Sequence, residues 1–224
     1  MTLKRFRCAL ASICICLDEP EISQVKILIS TLGERFSQKS PQIASPKMSM
    51  IYAILVGLFY HDRLPEIPIL LAKYSISSLT LAYAIALTCK NPELIDQLIP
   101  QLQNLLSSDP AQIQQLEIAQ TLVDQGQSQI VAQNQLGQNS IAYGLYVFLS
   151  TPTAWEICVQ RAGKLQILVG AIAAIDQAEL PYFPQFSTQV QQGTELGEQL
   201  FAEWAGIALK PGNPISDSIL ISAP

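Results

Sequence analysis

Between Asn139 and Ile175 the chain reads NSIAYGLYVFLSTPTAWEICVQRAGKLQILVGAIAAI, and no other stretch constrains the fold as strongly. Ile141, Leu145, Phe148 and Leu149 recur at i, i+4, i+7 and i+8, the spacing of one helical face. Asn139 or Ser140 supplies a short side-chain acceptor for an N–H at the start of that helix. Gly144 costs about 1 kcal/mol relative to Ala in a helix interior, which predicts a close helix–helix approach there. Thr151-Pro152 predicts the start of a second helix, threonine as cap and proline at the first helical position. Trp155, Val159 and Ala162 share its inner face, and Gly163 ends it. From Leu165 to Ile175 only Gln166 and Gly170 interrupt an apolar run. A helix apolar all round belongs at the centre of a bundle, and this one falls short of the roughly 20 residues needed to span a bilayer. The three elements predict the middle of a buried core. Chemistry is scarce in them: Glu156 is the one carboxylate, Asp176 lies just beyond the end, and there is no histidine.

The order SIAYGLYVFLSTP, a second helix ending in RAG, then a Gly-Ala-Ile-Ala run resembles the C-terminal part of the ADP-ribosylglycohydrolase-like family. In that family a proline-started helix leads to a Gly-Asp-Thr-Asp-Thr loop that holds metal-binding aspartates and enters a Gly-Ala-Leu-Ala-Gly helix. Gly170, Ala171, Ile172 and Ala173 match that helix, and Gly163 matches the glycine before the loop. Where the aspartates belong stands KLQILV, a few residues short. Lys164, Leu165 and Gln166 cannot offer hard anionic oxygen to Mg²⁺. The family's N-terminal Gly-Asp-Ala-Leu-Gly start and paired aspartates are also missing, so no catalytic, cofactor or metal residue is carried over. The resemblance implies an all-α, orthogonal multi-helix bundle, a degenerate member without its metal motif. Mg²⁺ is expected only of an active hydrolase.

The rest of the chain agrees with an all-α class, no alternating pattern lasting beyond a few residues except the short ISDSILIS near the end. A length of 224 residues is expected to give one helical domain, 1–207, followed by a loose proline-rich tail, 208–224. Phe6, Leu10, Ile13 and Leu17 predict a first core helix; Lys4, Arg5 and Arg7 ahead of an apolar run also resemble a targeting segment, but Asp18, Glu19 and Pro20 follow without a small-residue cleavage pattern. A second helix is expected over Glu21–Phe36 with Ile22, Val25, Leu28, Ile29 and Leu32 inward, then a loop, 37–47, then a helix over Met48–Tyr60. Pro65 and Pro68 bracket a turn. Ile69–Cys89 reads as one long apolar helix, long enough to cross a membrane, although Lys73 and its serines and threonines fit a buried position better. Asn91-Pro92 and Asp109-Pro110 repeat the cap-and-proline device. Leu94, Ile95, Leu98, Leu102 and Leu105 then form one inward stripe with a kink at Pro100, and Ile113, Leu116, Ala119, Leu122 and Val123 another, ended by Gly126. The unequal spacing of the three devices argues against a solenoid. Gln125–Gln138 is expected to be an exposed, glutamine-rich connection whose amides could hold a polar ligand. After a turn at Leu180–Pro184, Thr188–Trp204 is a last amphipathic helix.

Candidate chemistry is thin. His61-Asp62 is the nearest thing to a catalytic pair, but sequence neighbours do not share a helical face, and a histidine at a helix C-terminus is favoured there by the dipole alone; a capping or surface role is expected. Cys8, Cys14, Cys16, Cys89 and Cys158 lack zinc or disulfide-framework spacing and read as reduced core thiols, which suits a cytoplasmic protein. Charged residues make up only 14% of the chain, mean hydropathy is +0.27, and net charge is -5, against nucleic-acid binding. Three expectations follow. The favoured one is a non-catalytic module that binds an ADP-ribose-like ligand or scaffolds a protein partner. The second is an active hydrolase of ADP-ribosyl or related N-glycosidic bonds, which would need Asp62, Asp96, Asp109, Asp124 or Asp176 to converge. The third is a peripheral membrane or assembly protein.

Overall fold

A computed structural model describes residues 2–33, 41, 43, 45–151, 154–177 and 184–207. All regular structure among them is helical, so the protein is all-α. The chain opens with α1 (Leu3–Ile15) and α2 (Glu19–Gly33). Asp18 and Glu21 cap α2 reciprocally: Glu21 N–H donates to Asp18 Oδ1 at 3.1 Å and Asp18 N–H to Glu21 Oε2 at 3.2 Å, a capping box. The predicted inner faces hold, with Phe6, Leu10, Ile13, Val25 and Ile29 fully buried. Then comes α3 (Pro46–Phe59), begun by Ser45, whose hydroxyl accepts from Met48 N–H at 3.1 Å. Pro46 and Lys47 therefore belong to the helix rather than to the preceding loop, because proline at the first position gives up an N–H that has no partner there.

The long helix expected over Ile69–Cys89 is two elements. A 3₁₀ turn (Leu64–Glu66) runs into α4 (Ile67–Leu70), the chain turns through Leu71–Tyr74, and α5 (Ile76–Lys90) starts afresh at Ser75, whose Oγ accepts from Ser78 N–H. A second 3₁₀ segment (Pro92–Gln97) precedes α6 (Leu98–Leu105). The bend in this region is at Leu94, with φ −107 and ψ 30, and not at Pro100. Pro100 falls in the first turn of α6, where a missing N–H costs nothing. Leu94 and Leu105 consequently leave the inward stripe and are partly exposed, while Leu98 and Leu102 stay buried.

Asp109 caps α7 (Pro110–Asp124) as expected, Oδ1 accepting from Gln112 N–H at 2.9 Å. The glutamine-rich connection is not a linker: Gln129–Leu136 forms α8, capped by Ser128. Its buried Ala132 and Leu136 give it an inner edge, and exposed Ile130, Asn134 and Gln135 form the outer one. Ser140 caps α9 (Ile141–Leu149), accepting from Tyr143 N–H at 3.1 Å. Thr151 does not cap the next helix. Its hydroxyl donates back to the Val147 carbonyl at 2.7 Å, finishing α9, and α10 (Trp155–Ala162) begins later, with Ala154 at its cap position. Gly163, at φ +56, ends α10, a conformation that glycine adopts without a Cβ penalty. A short 3₁₀ turn then enters α11 (Gln166–Gln177), buried continuously from Ile167 to Ile175. The last helix is α12 (Ser187–Ala205).

Helix α11 is the hub, packing on α1, α3, α5, α9 and α10, and the most extensive pair is α1 with α12. Gly144 allows the predicted approach: a Cβ there would lie 2.8 Å from Leu168 Cδ2 of α11. Trp155 locks three helices by donating its indole N–H to Ser12 Oγ and to the Gly170 carbonyl, both at 3.1 Å. The run Trp155–Gln177 is long and apolar enough, by length and composition only, to cross a membrane; 61% of its most apolar window is buried by the other helices. The turn expected at Leu180–Pro184 (apart from Pro184), the end of the second predicted helix (34–36) and the tail (208–224) lie outside the described residues.

Candidate functional site

A groove of about 970 Å³ opens where the starts of three helices meet. Its walls come from the beginnings of three helices: Pro46, Ser49 and Met50 of α3, the cap Ser75 with Ser77, Ser78 and Leu81 of α5, and Asn139 just ahead of α9 with Ile141 in it. The turn before α5 adds Lys73 and Tyr74. None of the three helices carries an acidic residue in its first turn, and none of the described lining residues is a carboxylate. Helix N-termini carry partial positive charge from N–H groups that have no helical partner. Lys73 adds a full cation. The groove is thus a positively polarised place in a chain of net charge -5.

The lining combines hydrogen-bonding groups, from the serines, Asn139 and Lys73, with the apolar side chains of Ile43, Met50, Leu81 and Ile141. Tyr74 lines it too, its hydroxyl donating to the Pro41 carbonyl at 2.8 Å and its ring 5.4 Å from that of Tyr52. Burial raises both phenols above their ordinary value, with the charges of Tyr74 and Tyr60 also weighing on Tyr52, so both stay neutral. Ser75 and Ser78 hydroxyls lie 3.2 Å apart and share a hydrogen bond. Sequence reasoning passed over these residues by reading Lys73 and the serines as interruptions of one helix. The signal was a Ser-x-x-Ser cap spacing directly after Lys73-Tyr74.

The residues singled out from sequence do not meet. His61 is buried, 5% exposed, and not at the surface. It does cap α3: its Nδ1 lies 2.8 Å from the Leu58 carbonyl, so the neutral ring carries its proton on Nδ1. Phe6 and Trp204 pack on the ring, with Trp204 centred 5.0 Å away. Desolvation lowers its pKa, against the Leu58 carbonyl and Asp62, which raise it. Asp62 is exposed and holds Arg63 at 3.5 Å. Asp109 caps α7, and Asp124 accepts from the Gln120 amide at 2.7 Å. Asp176 is half-buried, its pKa raised by desolvation and lowered by Arg5. Within KLQILV, Lys164 and Gln166 face solvent and Leu165, Ile167, Leu168 and Val169 fill the core. Among the described residues no three His, Cys, Asp or Glu side chains could share a metal ion. None of the five cysteines is in a disulfide, and four are buried. Burial pushes Cys14 up to about 12 and Cys16 to about 11.

No family model, curated protein or solved structure matches the chain.

One polar constellation went unseen in the sequence. Gln129 of α8 donates to the Tyr143 hydroxyl at 2.9 Å and to the Arg161 carbonyl at 3.0 Å. Arg161 returns Nε–H to Gln129 Oε1 at 3.1 Å and gives another N–H to Thr151 Oγ1 at 2.8 Å. Gln133 also donates to Tyr143, at 3.0 Å. Each partner is answered inside the network, so its role is to lock α8, α9 and α10 together.

Proposed function

We propose that this protein is a non-catalytic binding module, a degenerate relative of the ADP-ribosylglycohydrolase-like proteins, and that the groove between α3, α5 and α9 receives an anionic, ADP-ribose-like ligand. The observation that carries the reading is the meeting of three acid-free helix starts and Lys73 around one opening. Each N-terminus favours an anion by about 0.3–1 kcal/mol. Three together give about 1–3 kcal/mol, a factor of about 5–150 in affinity over a neutral analogue. The apolar lining residues and Tyr74 suit the less polar part of such a ligand. The reading is supported further by the separate structural duties of Asp62, Asp109 and Asp124 and by the core position of most of KLQILV. A scaffolding role for a protein partner and a cytoplasmic setting, consistent with five cysteines outside any disulfide, belong to the same proposal.

Calorimetric titration with ADP-ribose, with and without Mg²⁺, tests it. The expected result is metal-independent binding that Lys73→Glu weakens about tenfold, more steeply at low salt. Binding that requires Mg²⁺, together with hydrolysis of an ADP-ribosyl N-glycoside in a separate assay, would replace it with the hydrolase reading. Absence of heat in both titrations would remove the ligand and leave only the scaffold.

A further inference from the structure

A second cleft, of about 430 Å³, lies between α7 and α8 and takes no part in the groove. Four glutamines, Gln114, Gln125, Gln127 and Gln135, line it together with apolar Ile118, Val131 and the buried Leu122. We propose that this cleft binds a neutral, hydroxyl-rich small molecule of the sugar class. Each carboxamide offers one carbonyl acceptor and two N–H donors, so four of them can answer neighbouring hydroxyls, which each donate and accept. Glu117 is the one charged group among the described lining residues, and no cation is among them; an anion would meet repulsion there without compensation. Ile118, Leu122 and Val131 offer apolar surface for the C–H face of a sugar ring.

The rim is positioned in advance. The α7–α8 turn passes through Gly126 at φ +60. Gln127 N–H donates to the Leu122 carbonyl at 3.0 Å, and the Gln127 carbonyl accepts from the Tyr146 hydroxyl at 2.6 Å. The Gln127 amide also reaches Gln125 Oε1 at 3.4 Å. Binding therefore orders side chains but not backbone, which reduces its entropic cost. The volume falls within the roughly 300–1,000 Å³ of small-molecule pockets.

Side-chain amide NMR of the whole chain with maltose as probe tests the assignment. The NH₂ signals of the four glutamines shift saturably, with millimolar affinity. Gln127→Ala and Gln135→Ala each weaken the titration about fivefold, while Gln191→Ala on α12 leaves it unchanged. Inorganic phosphate leaves the four signals in place. Unshifted signals, shifts that persist at full strength in both variants, or movement with phosphate and not with maltose would each overturn the proposal. Lys73→Glu does not affect this titration, so the fate of the groove reading is read separately.

Discussion

Substitution of Gly197 by Ala tests the contact that holds the N-terminal helix to the rest of the protein. Gly197 lies where α12 crosses α1, and a Cβ there would stand 2.6 Å from Arg7 Cα and 2.7 Å from Arg7 N and the Phe6 carbonyl. Carbon atoms rest about 3.5–4.0 Å apart, so the two helices must separate by about 1 Å. The obstructing atoms are backbone and cannot rotate aside. A gap of that size forfeits about a quarter to a half of each dispersion contact it opens, and it opens along the most extensive interhelical contact in the molecule. Overpacking of this kind costs about 1–3 kcal/mol, offset by about 1 kcal/mol of helix propensity on replacing Gly by Ala. Contact against backbone places the cost at the upper end, for a net loss of about 2 kcal/mol. At about 2–4 °C per kcal/mol for a domain of this size, Tm falls by about 4–8 °C. Thermal and urea unfolding followed by circular dichroism measures this, with Gln191→Ala on the exposed face of α12 as a control expected within about 0.5 kcal/mol of the parent. A Gly197→Ala protein as stable as the parent, or more so, would refute the reasoning and with it the placement of α1 in the core.

Two further outcomes follow from buried titratable groups. His61 has a folded pKa below its ordinary 6.5, so the unfolded chain takes up its proton first and stability rises with pH in the window just below 6.5. That contribution is complete above 6.5 and is lost as pH falls toward the folded value. His61→Gln should flatten the dependence of the urea midpoint between about pH 5 and about pH 7.5, and an unchanged slope would remove His61 as its source. Asp176, raised by burial, acts in the opposite sense nearer the carboxylate range, so the difference between parent and variant isolates the imidazole. The thiols provide the third test. With Cys14 near 12 and Cys16 near 11, almost no thiolate exists at neutral pH. A thiol reagent should label neither until the protein is unfolded in guanidinium, and rapid labelling of Cys14 in the native protein would show that α1 opens.

The helical class was legible from apolar spacing, and so were the inner faces of α1 and α2 and the caps at Asp109 and Ser140, because such features depend on residues within one or two turns. The close approach at Gly144 was legible for a related reason: glycine in a helix interior is costly unless something occupies the missing Cβ's space. Errors came where that local logic was ambiguous. Thr151 can cap the helix after it or finish the one before, and an interior run of hydroxyl residues such as Ser75 and Ser78 can interrupt a helix or begin one. Helices α5 and α11 are buried on nearly every side, so their composition carries no periodic signal of which neighbour each face meets. The candidate groove depends on the meeting of Ser45–Met50, Lys73–Ser78 and Asn139–Ile141, and the lock depends on Gln129 finding Arg161. Those pairings are hydrogen bonds and contacts between segments far apart in the chain, decided by how the helices pack around α11. Apolar spacing along the chain suffices for a bundle of helices with an apolar centre; which polar ends share an opening is set by the packing, because a side chain's partners across space leave no periodicity along the chain.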